Sequence, residues 1–297
     1  MFQGSFVAIV TPFKNNKIDE RALRALVQEH IACGTHGIVP CGTTGESPTL
    51  SYDEHNHVVD IVIDEAKGKV PVIAGAGSNS TAETVMLSRH AKDAGADAVL
   101  LITPYYNKPV QQGLYEHFKY VAQQVNIPVV LYNVPGRTGV SIAPETVARL
   151  AEIKNIVAIK EASGSMDQAS HIASLCGIDI LSGDDSLTLP LMSIGGKGVV
   201  SVAANILPGR VSKLVEAGLK KDFDLAKKIH HELFPVCRAM FIETNPIPVK
   251  AALALLHKIE PEIRLPLTGL TDTNIEKLRS VLATYPELAD NLQCASK

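Results

Sequence analysis

The chain has 297 residues, 46% of them hydrophobic and 20% charged, with a formal net charge of −3. That length and apolar content suit one large globular domain with an extension. The absence of any long run of like charge argues against a nucleic-acid surface or a polybasic membrane patch, and no apolar run reaches the ~18 residues of a membrane span.

The opening stretch, MFQGSFVAIVTPF, lacks the basic segment and long apolar core of a secretory signal, so the chain reads as cytoplasmic. Cys33, Cys41, Cys176, Cys237 and Cys294 are scattered, with no CxxC pair. They read as reduced thiols rather than a zinc site or a disulfide framework. Cys41 stands beside a glycine-rich turn, where a reactive thiol is the sharper reading and a small buried hydrophobe the preferred one.

Taken in chain order, β-rich runs recur as FVAIV at 6–10, GIVPC at 37–41, VPVIA at 70–74 and DAVLLI at 97–102. They continue as IPVVLY at 127–132, IVAIK at 156–160, IDILS at 178–182 and GVVSV at 198–202. Amphipathic stretches lie between them, such as DERALRALVQEHIACG, with Leu23, Leu26, Val27 and Ile31 at helical spacing. Gly34, Gly68, Gly95 and Gly177 are placed to end helices in a left-handed cap. Ser51 with Glu54, and Ser80 with Glu83, have the spacing of capping boxes. Eight strand–helix units predict an α/β fold, a (β/α)8 barrel over residues 1–222. The rival, a doubly wound open sheet, would show GxGxxG after its first strand, where this chain has TPFKNN.

Residues 223–297 read as a C-terminal helical extension. Leu225, Ile229, Leu233, Val236 and Met240 step by three or four. TNPIPVKAALALLHK opens with prolines suited to a helix start, and Thr273 with Glu276 is placed to cap TDTNIEKLRSVLATY.

In such a barrel, chemistry collects in the turns at the C-terminal ends of the strands. Here these are TP, GTTGES, GAGSNS, TPYYN, NVPGRTG, KEASG, SGDDS and AANILPG. The sixth run ends in Lys160. Alternation places Lys160, Ala158 and Ile156 on one face, Val157 and Ile159 on the other, and turns Glu161 away from Lys160. An amine at the top of a packed core loses its charge readily, and its natural chemistry is imine formation with a carbonyl. A lysine merely snorkelling at a strand end is the bland alternative.

Tyr132, on the inward alternation of the neighbouring run, lies within reach of Lys160. GTTGE at 42–46 sets two hydroxyls between glycines, a turn suited to binding carboxylate or phosphate. Arg137, in a Pro-Gly turn, carries a planar fork that can hold a carboxylate in two bonds. GGKG at 195–198 fails as a phosphate loop, since Leu191 and Gly198 stand where a glycine and a Ser or Thr are required. Asp184 and Asp185 lack a third nearby ligand, so no metal is assigned.

GTTGES, TPYYNKP, YNVPGRTG, IVAIKEASG, SGDD and NPIPVKAAL, in this order and spacing, resemble the dihydrodipicolinate synthase family of pyruvate-dependent class I aldolases over essentially the whole chain. GxxGE and the lysine strand are shared across that superfamily, whereas the arginine of PGRTG is the more specific mark. The resemblance implies condensation of pyruvate with L-aspartate 4-semialdehyde to give 4-hydroxy-tetrahydrodipicolinate, the cyclic precursor of diaminopimelate and lysine. It implies no metal or organic cofactor, because the lysine itself activates the ketone.

By the same resemblance Lys160 forms the imine. Thr44 and Tyr132 relay protons, with Tyr106 entering from a neighbouring subunit. Thr43 and the Thr44 backbone cradle the pyruvate carboxylate, Arg137 holds the semialdehyde, and the Gly183 and Val200 backbones approach substrate. A homotetramer built from two tight dimers is implied. So is a lysine effector pocket at Ser47, Pro48, Tyr52, His55, Asn79, Glu83 and Tyr105, although Tyr52 and Pro48 depart from the histidine and small residue common there. Tyr52 and His55 sharing a helical face at a dimer contact is the plainer reading of that group. Rival functions are N-acetylneuraminate lyase or a 2-keto-3-deoxy sugar acid aldolase, disfavoured by Arg137, and a ligand-binding barrel without turnover. A phosphosugar isomerase-like barrel wants a phosphate loop that this chain lacks.

Overall fold

The computed structural model describes residues 2–293, so Cys294 lies outside the described residues. Eight parallel strands form one sheet: β1 Gly4–Ala8, β2 Gly37–Val39, β3 Ile73–Gly75, β4 Ala98–Ile102, β5 Val129–Asn133, β6 Ile156–Glu161, β7 Asp179–Ser182 and β8 Gly198–Ser201. Their lateral order is β2-β1-β8-β7-β6-β5-β4-β3, and a parallel bridge between Ile38 and Val72 joins the two edges. The sheet therefore closes into a barrel.

Helices follow the strands in turn: α1 Glu20–Ala32, α2 Tyr52–Ala66, α3 Thr81–Ala94, α4 Gln111–Val125, α5 Pro144–Ala151, α6 Met166–Leu175, α7 Thr188–Ser193 and α8 Pro208–Leu219. The tail adds α9 Phe223–Ala239, α10 Ile247–Leu255, α11 Asp272–Leu282 and α12 Pro286–Gln293. Among the described residues no helix is long and apolar enough to cross a membrane.

Alternation along the strands makes two cores. Inside the barrel Phe6, Ala8, Ile73, Leu100, Val130, Ala158, Leu181 and Val200 pack together. Outside it the other strand faces meet the helices in a second, larger cluster. Strict alternation fails in one place that matters for Lys160. Val129 pairs with Ile156 but Val130 pairs with Ala158, so Val157 is the extra residue of a bulge. Ile156 therefore faces the helices rather than sharing the face of Lys160 and Ala158, and half-buried Val157 packs on the inner cluster.

Ser51 and Glu54 form the full capping box of α2. At α3 only half of the expected box forms. Ser80 accepts from Glu83 N–H, but the Glu83 carboxylate turns away to accept from Ser78 Oγ at 2.6 Å. Gly34, Gly68 and Gly95 take the left-handed conformation, whereas α6 ends on extended Cys176 and Gly177 is no cap of that kind. In α9 the buried stripe runs through Ala226, Ile229, Leu233 and Val236, leaving Leu225 46% exposed. The N-cap of α11 is Thr271 rather than Thr273, because Glu243 receives its N–H, its hydroxyl and the Asn274 amide.

Candidate active site

The C-terminal strand ends converge on Lys160. Its side chain is 7% exposed, and its Nζ lies 4.0 Å from the centre of the Tyr132 ring, its register partner on β5. A side chain at Gly183 would place its Cβ 2.4 Å from Ala162 Cβ and 3.1 Å from Lys160 Cε, so only glycine lets the β7 turn close on the lysine stem. Val200 is fully packed below, in the inner cluster. Glu161 points outward, as alternation requires, accepting from Asn133 Nδ2 and Ser163 N–H.

The GTTGES turn is folded by its own backbone. Gly45 N–H donates to Gly42 O and Glu46 N–H to Thr43 O, with Cys41 and Glu46 left-handed at its two ends. Thr44 is buried and Thr43 half-exposed at the mouth. Cys41 is 3% exposed, and burial alone pushes its thiol far up, which makes it a packing residue and no nucleophile. Arg137 is exposed on the rim, donating from Nη2 to Asn245 O at 3.1 Å.

The aspartates of SGDD divide. Asp185 is buried and accepts from Ser201 Oγ and from the Val202 and Ala203 N–H groups, which ties β7 to β8. Burial raises Asp184 above the usual carboxylate range, an effect that the nearby Lys160 charge opposes. Among the described residues no group of three or more His, Cys, Asp or Glu is placed to hold a metal ion.

A cavity of about 380 Å³ begins beside Thr43 and Tyr132 and runs to Pro48, Tyr52, His55 and Glu83. Ser47 and Tyr105 also line it, whereas Asn79 does not; its carbonyl accepts from Asn107 Nδ2 instead. Ser78 and the Tyr52 hydroxyl hold Glu83 below the usual carboxylate range, so an anion faces this space. Tyr106 takes no part in the chain's own site: it is 89% exposed, with a positive φ of 72°.

Two features had no local signal in the sequence. Asn245 reaches Thr44 from 201 residues away. Glu46, the acid of GTTGE, pairs with buried Lys250, which also donates to Thr11 O at 3.0 Å. NPIPVKAAL marked the tail segment, but nothing in its periodicity says that it closes over the second turn of the barrel.

A (β/α)8 barrel with a buried strand-end amine, an adjacent phenol and flanking hydroxyls at its catalytic face defines an imine-forming, class I aldolase-type enzyme. Residues 1–285 match the model of the dihydrodipicolinate synthetase family, and the chain belongs to that family. It is 58% identical over 287 residues to the 4-hydroxy-tetrahydrodipicolinate synthase of Geobacter sulfurreducens, covering 96% of this chain and 99% of the relative. The solved dihydrodipicolinate synthase from Aquifex aeolicus superposes with a TM-score of 0.95 at 52% identity, over 96% of this chain and 98% of the other. That from Cyanidioschyzon merolae with lysine bound superposes at 0.92 and 40% identity, over 95% and 97%.

Proposed function

We propose that this chain condenses pyruvate with L-aspartate 4-semialdehyde through an imine on Lys160, giving 4-hydroxy-tetrahydrodipicolinate for diaminopimelate and lysine synthesis. The observation that carries the reading is the buried Lys160 amine near the C-terminal end of its strand, 4.0 Å from the Tyr132 ring centre.

The Lys160 amine attacks the pyruvate ketone carbon, and loss of water leaves the imine. The imine draws electrons from the methyl group, which gives up a proton through the hydroxyls of Thr44, Tyr132 and, from a neighbouring subunit, Tyr106. The resulting enamine carbon attacks the aldehyde and forms the carbon–carbon bond. The semialdehyde's own amine then attacks the imine carbon, closes the ring and expels Lys160. Thr43 and the Thr44 backbone hold the pyruvate carboxylate, the backbones of Gly183 and Val200 border the substrate, and Arg137 orients the semialdehyde carboxylate. Orientation of this kind can carry a large share of a rate enhancement.

The same reading makes the enzyme a cytoplasmic homotetramer and assigns the Ser47, Pro48, Tyr52, His55, Asn79, Glu83 and Tyr105 region as a lysine effector site. Glu83 supplies the anion for an ammonium, and the Tyr52 hydroxyl interacts with the same carboxylate, which would alter the affinity. Unchanged activity in millimolar lysine would remove the effector assignment. A substrate panel tests the reaction. Turnover is expected with pyruvate plus L-aspartate 4-semialdehyde, and efficient cleavage of N-acetylneuraminate or a 2-keto-3-deoxy sugar acid would overturn it.

A further inference from the structure

Asn245 lies in the tail, between α9 and α10, yet it joins two groups of the catalytic face. It is 4% exposed. Its Nδ2 donates to Thr44 Oγ1 at 3.0 Å, and its backbone carbonyl accepts from Arg137 Nη2 at 3.1 Å. Its Oδ1 is buried with no hydrogen-bond partner among the described residues.

A hydroxyl has one hydrogen to give and two lone pairs to fill, whereas an amide nitrogen only donates. With Asn245 Nδ2 on one lone pair, the Thr44 hydrogen stays free for another acceptor. Turned over, the amide would present Oδ1 to Thr44 and draw that hydrogen to itself. Either orientation turns the other amide atom away from Thr44, so the two differ in the sense of the hydrogen bond that Thr44 makes.

We infer that Asn245 is a positioning residue, which keeps the Thr44 hydroxyl available as a proton donor and seats Arg137 through its backbone carbonyl. This rests on the imine reading of Lys160. The two roles separate by experiment, because a side-chain substitution removes the contact to Thr44 and leaves the carbonyl in place.

The test follows exchange of the pyruvate methyl hydrogens in D2O by NMR, without aldehyde, so that only imine and enamine formation are read. Asn245→Ala removes the donor. Exchange is expected to fall about fivefold, the worth of one hydrogen bond, with the aldehyde KM held within about threefold. Asn245→Asp can only accept from Thr44, and exchange is expected to fall on the order of 100-fold, within the span of general acid–base effects.

Because Asn245 acts through Thr44, adding Asn245→Asp to Thr44→Val should cost little beyond Thr44→Val alone. Wild-type exchange in Asn245→Ala, or losses that add in the double variant, would overturn the inference. Should Asn245→Asp fail to fold, Asn245→Ala decides. Failure of the unaltered enzyme both to exchange pyruvate hydrogens and to form a borohydride adduct would overturn the imine reading itself, and this inference with it. Normal exchange in the parent with a normal Asn245→Ala would overturn only the inference.

Discussion

At the scale of single residues, the proposed function separates an amine that makes bonds from groups that orient what it meets. Arg137 belongs to the second kind. It is exposed, held by one backbone carbonyl, and the rest of its fork is free for a carboxylate. Arg137→Ala should lower kcat/KM for the semialdehyde by on the order of 100-fold, the range for losing a charge-assisted contact. Pyruvate trapping on Lys160 should be unchanged; steady-state kinetics beside borohydride trapping checks both. The inward aim of Lys160 and its neighbour Tyr132 were legible from alternation alone. Ile156 was not, because a single inserted residue, Val157, reverses the faces below it. Asn245 was also out of reach, since only the folded chain brings it to Thr44.

At the scale of elements, the turn after β2 is clamped from the tail. Lys250 of α10 and Glu46 are 3% and 1% exposed in their side chains, Arg264 N–H donates to the second Glu46 oxygen, and Lys250 and Arg264 lie over the Phe13 ring. Breaking one side of such a pair strands the other charge in the interior. Lys250→Met should therefore destabilise by about 3–5 kcal/mol, read from urea midpoints, and Glu46→Gln in the same chain should recover part of it. GTTGE was legible as a ligand-binding turn, whereas the structural work of its glutamate was not, because the partner is distant in the chain.

Two buried histidines add a pH dependence to the helical layer. Burial, with the Lys258 charge second, lowers His30 of α1 to about 3, and burial lowers His117 of α4 to about 4. An unfolded histidine titrates near ~6.5, so below that pH the unfolded chain binds more protons than the folded one. Their contribution is complete above ~6.5. It is lost as pH falls toward about 4 for His117 and about 3 for His30. The Tm should drop across that window, and His30→Gln with His117→Gln should flatten the drop in a thermal melt series.

At the scale of the whole molecule, the barrel was legible because eight strand–helix units repeat along the chain. The closing of the tail over the mouth was not, since amphipathic periodicity gives a helix a buried face without naming what it covers. Tyr106 is exposed and held at positive φ, and the proposed reading gives it to a neighbouring chain's site. If it completes a neighbour's relay, mixed oligomers of Tyr106→Phe and Lys160→Ala chains should regain activity that neither parent has. Co-refolding the two and assaying turnover reads this; no regain would place Tyr106 outside the relay.

The central claim is that Lys160 is the imine-forming amine, and the direct measurement is borohydride reduction in the presence of pyruvate, followed by mass mapping of peptides. The account predicts one pyruvate-dependent adduct, on Lys160, absent from Lys160→Ala. No adduct, or an adduct on another lysine, would contradict it.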